Sequence, residues 1–286
     1  MTTATSPATA PATLPEPPAG IHVSFPRLLR SEWIKMWSLR STTWTLAITA
    51  VVIVGFVLLV TWGMLDARDV MGDTDPVNPL EAFGAVPYLG PTAVAVLGAL
   101  VITGEHTTGM IRASFAAAPR RLPVLWAKAT VLAVVVFVVT ALAVAVAAVL
   151  QSLVFGSEGA SVDLGEPQVV RALVGNALYV TGIAVLAFGL GVLMRHSAAA
   201  ITTTLGVLLV LPILFSLIPW KPLQDLTPYL PNVAGSQITL TDEMIEQQAS
   251  FTGSVVLSAW EGFGVLVAYL VVVLAAGAWL TRRRDA

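Results

Sequence analysis

Six long apolar runs, set between charged residues, constrain this chain more than any other feature. They are Thr43–Leu65, Ala82–Thr103, Val124–Leu150, Ala172–Met194, Ala198–Trp220 and Val255–Leu280. A helix that crosses hydrocarbon needs about 20 mostly apolar residues, and each run is long enough. Only 11% of the residues are charged and the mean hydropathy is +0.83, whereas a soluble domain carries about 25% charged residues. That deficit excludes an ordinary soluble globular protein, and it excludes disorder, which needs high charge and low hydrophobicity. The fold class expected is all-α: a polytopic membrane protein with six transmembrane helices. Pro87 and Pro91 fall in the second run and Pro212 in the fifth, which is tolerated where neighbours satisfy the freed carbonyls.

Lys and Arg set the orientation. One side of this topology holds Arg27, Arg30, Lys35, Arg40, Arg112, Arg120, Arg121, Lys128, Arg195, Arg282, Arg283 and Arg284. The other holds only Arg68, Arg171 and Lys221, which completes the 15 bases. Both termini are therefore expected in the cytoplasm, with the loops around Asp73, Asp163 and Glu243 outside. The expected domains are a disordered Pro/Ala/Thr-rich lead (1–20), an amphipathic interfacial helix (21–42) and a six-helix transmembrane domain (43–286).

Ser24 followed by Pro26 reads as a helix start, with a side-chain cap and then a proline in the first turn. Val23 and Leu28 sit at staple positions. Phe25, Leu28, Leu29, Trp33, Met36 and Trp37 then share one face, with Arg27, Arg30, Lys35 and Ser38 opposite. Such a helix lies in the membrane interface against lipid headgroups. Glu32 breaks the pattern by projecting from the apolar side. Either it snorkels or caps locally, or it meets a base on another cytoplasmic segment such as Arg112, Arg120 or Arg121.

Between the second and third runs lies GEHTTGMIRASFAAAPRRLPVLWAK, Gly104 to Lys128. Glu105 and Arg112 are seven apart, so on one helix they share a face two turns apart, and Pro119 and Pro123 end that helix. Gly175, Gly182 and Gly189 form a stripe on the fourth run, which permits close helix packing in lipid. Asn176, Thr181 and Thr202–Thr204 are able to bond across helices. Glu261 is the one acid within a run. It is either an interfacial acid or a buried polar partner or substrate contact.

Several chemistries find no residues. There is no GxxxxGK[ST] phosphate loop, no G-x-S-x-G elbow and no H-E-x-x-H pair. His22, His106 and His196 lack metal-ligand spacing. There are no cysteines and the net charge is −2, so neither a thiolate site nor a basic field for nucleic acid is expected. An enzyme acting within the membrane is not expected.

The lead segment SEWIKMWSLRSTTW, the central GEHTTGMIRASFAAAPRRLPVLWAK and the segment LTPYLPNVAGSQI before the last run, in that order relative to six spans, resemble an ABC transporter permease of the type-2 exporter family. His106 stands where many relatives carry an aromatic. The resemblance implies that two such halves pair, as a homo- or heterodimer, and bind ABC ATPase subunits that carry ATP and magnesium. This chain would then bind no cofactor of its own. It also implies a coupling loop at Glu105, Thr108, Gly109, Met110, Ile111 and Arg112, and a lead-helix junction at Glu32, Trp33 and Lys35. An outer re-entrant turn is implied at Pro228, Pro231, Asn232 and Gly235. The apolar spans suit an amphipathic drug, lipid or peptide as cargo, but they suit the bilayer equally. A non-transporting scaffold, immunity protein or sensor partner predicts the same hydropathy, and a secondary carrier is a third reading, weakened by the shortage of charge at mid-membrane.

Overall fold

The computed structural model describes residues 24–72, 77–110, 121–252 and 255–283, and among them the chain is helical with no strand. Six helices are long and apolar enough to cross a membrane: Arg40–Met71, Phe83–Thr108, Leu122–Glu158, Pro167–Met194, Ser197–Leu217 and Ala259–Arg283. They correspond one to one with the six apolar runs, and this is a multi-pass membrane protein. Helix ends depart from the runs where local chemistry dictates. The fifth span stops at Leu217 because Ile218 precedes Pro219 and is extended, with φ −89° and ψ 113°, as a residue before proline tends to be.

The lead helix runs Phe25–Ser38 with Pro26 in its first turn. Ser24 holds the cap position, but its side chain makes no capping bond, so that expected bond is not formed. Leu39 alone, extended, separates the lead helix from the first span. The face expected to be apolar is divided. Glu32 and Met36 are buried, with Leu28, Leu29 and Lys35 half-buried beside them, while Phe25, Trp33 and Trp37 are exposed. Lys35 therefore lies on the packed face and not on the polar one. A helix side that meets protein and a side that meets lipid are both apolar, so periodicity alone merged them.

The fourth span is the hub. Two thirds of its apolar stretch (67%) is buried, against 17% for the fifth span and 11% for the sixth. Its glycine stripe packs within the chain: a Cβ on Gly175 would fall 2.2 Å from the Ile238 carbonyl oxygen, one on Gly182 2.8 Å from Leu266, and one on Gly189 2.6 Å from Val273. The second span approaches as closely, since a Cβ on Gly98 would lie 2.1 Å from the carbonyl oxygen of Ala184.

Asn176, Thr181, Thr202 and Thr204 do not bond across helices as expected. Each donates to the carbonyl four residues back in its own helix, the local alternative open to short polar side chains. The bonds between spans come from elsewhere. Gln151 Nε2 donates to Thr61 Oγ1 at 2.7 Å and Ser197 Oγ to Thr103 Oγ1 at 2.9 Å.

Before the sixth span the chain folds into short helices, Lys221–Leu226, Pro231–Ser236 and Asp242–Thr252. Pro228 lies in the 3-10 turn Thr227–Tyr229, and Pro231 opens the second helix. That helix is wedged between the fourth and sixth spans. A Cβ on Gly235 would meet Leu266 at 2.7 Å and Tyr179 at 3.1 Å, and one on Gly262 would meet the Ala234 carbonyl oxygen at 2.2 Å. Tyr179 is twelve residues into a helix that starts at Pro167, about 18 Å along it at 1.5 Å per residue. Asn232 Nδ2 donates to the carbonyl of Leu208 at 2.8 Å. In an α-helix that carbonyl would bond the N–H of residue 212, which is proline; the fifth span is a π-helix over Gly206–Val210.

Candidate functional site

Four charged side chains from three helices converge at the end of the bundle where the lead helix lies. Glu32 and Lys35 are one turn apart on the lead helix. Glu105 is near the end of the second span, and Lys128 is inside the third. The salt bridges alternate around a ring. Lys35 Nζ is 2.8 Å from Glu32 Oε1 and 3.2 Å from Glu105 Oε1; Lys128 Nζ is 2.5 Å from Glu32 Oε2 and 2.8 Å from Glu105 Oε1. Glu32, Glu105 and Lys128 are 5%, 8% and 4% exposed. Two acids and two bases leave the ring neutral, which is how ionised groups persist where water is scarce. Burial acts to lower the pKa of Lys35, but the hydrogen bond and charge of Glu32, and then those of Glu105, outweigh it and hold that pKa raised.

Glu32 therefore meets a base on another segment, the sharper of its two readings, but the base is Lys128. Arg112 and Arg120 lie outside the described residues, as does the side chain of Arg121. The sequence does not single out Lys128 as a partner, because a base near the end of a span also satisfies the charge bias that sets orientation. The signal was present: Lys128 stands inside the run Val124–Leu150, and an ionisable group within a span requires a partner.

The expected coupling helix is interrupted. The second span continues through Glu105 to Thr108 and ends on Gly109, whose φ of 74° lies in the left-handed region. This glycine stop ends the helix that carries Glu105 before Arg112, which lies outside the described residues, is reached. Thr108 donates to the Gly104 carbonyl at 2.9 Å, and Met110 is exposed just beyond the break. Ile111 and Arg112 fall outside the described residues, as do residues 1–23 and Asp73.

One oxygen of the ring stays unsatisfied. Glu105 Oε2 is buried and has no hydrogen-bond partner. Beside the ring is a cavity of about 250 Å³ whose walls include all four charged residues with Met36, Leu39, Leu100 and Val101.

Trp33 is exposed and stacks at a tilt on Trp37, centroids 5.9 Å apart. Glu261 is exposed, in the first turn of the sixth span, and closes a capping box. Its Oε2 accepts from Ser258 N at 3.0 Å and from Ser258 Oγ at 2.9 Å. It is thus an end cap and not a buried polar partner. The described residues hold no group of three or more His, Cys, Asp or Glu side chains placed to bind a metal.

Residues 79–286 match the model of a family described as a protein of unknown function (DUF2705), and the chain belongs to that family. No curated protein matches it.

Proposed function

We propose that this chain is the permease subunit of an ATP-driven exporter of the type-2 ABC family. In this reading it sits in the plasma membrane with the ring-bearing end in the cytoplasm and works with a second permease half and separate ATPase subunits. The observation that carries the proposal is the ionic ring, which fastens the lead helix to the end of the second span and the start of the third. Those two helix ends flank the connection that begins at Gly109. A push delivered there by an ATPase reaches three helices as one unit, because the junction is short, buried and charge-paired. Met110, exposed at the break, is the apolar contact offered to the partner, and ATP and magnesium stay on the ATPase.

Orientation is tested with single cysteines, since the native chain has none. Asp163→Cys reacts with an impermeant thiol reagent in intact cells, while Arg283→Cys reacts only after lysis. The reverse pattern overturns the topology. Met110→Asp puts a charge into an apolar contact and lowers co-purification of the ABC ATPase subunit, with the permease still in the membrane. Normal assembly and normal vanadate-sensitive ATPase activity in that variant would remove this contact, and a chain that binds no ATPase at all would favour the scaffold reading.

A further inference from the structure

We propose that the exposed face of the lead helix is a binding surface for anionic phospholipid headgroups, in the leaflet at the ring-bearing end. The helix is divided along its length. Leu28, Leu29, Glu32, Lys35 and Met36 are buried or half-buried against the bundle. Arg27, Arg30, Trp33, Ile34 and Trp37 are exposed and follow one another at intervals of three or four residues, so they form one continuous stripe. The sequence pattern puts tryptophans and arginines on opposite sides of this helix, whereas the structure brings them together on one.

The chemistry of the stripe selects its partner. A tryptophan ring, apolar but for one N–H, settles at the boundary between headgroup and hydrocarbon. Arginine beside it offers phosphate oxygens a planar fork of donors. Preference for a net negative headgroup over a zwitterionic one comes from charge. Among the described residues, the acids at this end of the bundle are Glu32 and Glu105, and the ring buries both and matches them with two bases. The exposed charged groups described here are therefore all cationic: Arg27, Arg30, Arg40, Arg282 and Arg283. Arg283 lies 4.4 Å from the centre of the Trp279 ring, a second arginine–tryptophan pairing at the same end. The ring also lowers the cost of binding. It ties Glu32 and Lys35 to the second and third spans, so the stripe is already ordered and turned outward before a lipid arrives.

The surface belongs to this helix and does not rest on the exporter reading, so it is tested without an ATPase. The full chain is reconstituted in vesicles of equal phosphatidylglycerol and phosphatidylcholine with identical tails, then extracted, and the retained lipid is read by native mass spectrometry. Wild type retains phosphatidylglycerol in excess, and added salt erodes that excess. Each base near an anionic surface gives about a fivefold preference, so Arg30→Gln lowers the excess by about that factor. Arg30→Lys, which keeps the charge, retains most of it. Arg282→Gln removes the same charge from the same end but off the stripe, and it leaves the excess largely intact. A second measurement needs no variant: hydrogen exchange across Phe25–Ser38 is slower in phosphatidylglycerol vesicles than in phosphatidylcholine vesicles. No excess in wild type overturns the proposal, as does exchange across the lead helix that is the same in both lipids. An equal fall in Arg30→Gln and Arg282→Gln also overturns it, because the attraction would then belong to the whole end and not to this helix.

Discussion

Replacing Lys128 by methionine tests whether the ring holds the lead-helix junction together. The substitution keeps an unbranched side chain one atom shorter and removes the ammonium that both acids share. Lys128 Nζ lies 2.8 Å from Glu105 and 2.5 Å from Glu32. Opposite unit charges at 2.8 Å attract by ~6 kcal/mol at an effective dielectric near 20, and the cost of dehydrating the ammonium offsets much of that. What remains is the penalty of two buried carboxylates facing Lys35 alone, and breaking a buried pair costs about 3–5 kcal/mol. The charge imbalance carries the loss, so Glu32→Gln combined with Lys128→Met, which leaves a neutral Glu105–Lys35 pair, is less destabilised than the two single losses added. The expected coupling is about 1 kcal/mol or more. The assay is equilibrium unfolding in mixed micelles followed by tryptophan fluorescence; Trp33 and Trp37 lie on the lead helix itself. A loss below about 0.5 kcal/mol, the level of an ordinary surface change, or strict additivity of the pair would refute a shielded junction.

Two further outcomes follow from the packing and the ring. Gly98→Ala forces apart the second and fourth spans, because the new Cβ meets a backbone oxygen at 2.1 Å, and it costs about 1–3 kcal/mol; Gly55→Ala, with nothing within 4 Å, gains up to about 1 kcal/mol from helix propensity, and equal effects at the two sites would contradict the packing. Lys35 has its pKa raised above the ordinary 10.5, so its contribution is fully present below that pH and is lost as pH climbs through the raised value; the stability gap between wild type and Lys35→Met should narrow above about pH 10.5, and a gap that widens there would be the wrong sign.

The six spans were legible because hydrocarbon sets a length and a polarity that the sequence must satisfy locally. The glycine stripe of the fourth span was legible for a similar reason, as spacing on one helix. The ring was only half legible. Glu32 stood out against its helix face, but its partner is 96 residues away, and nothing local to either residue specifies the pairing. The break at Gly109 has a local signal, glycine after the polar residues His106, Thr107 and Thr108, and it competes with the helical spacing of Glu105 and Arg112. The fit of the short helix Pro231–Ser236 was beyond reach, because it depends on Gly262 of the sixth span standing opposite the Ala234 carbonyl.

The bond from Asn232 to the Leu208 carbonyl joins residues 24 apart in the chain, and this orders events during synthesis. At about 5–20 residues per second, the fifth span leaves the ribosome one to a few seconds before the residue that satisfies its proline-disrupted turn. Through that interval the span, the second least buried of the six, lacks its side-chain donor. A nascent chain halted before residue 232 should therefore hold four settled spans and a fifth still exchanging between the insertion machinery and lipid.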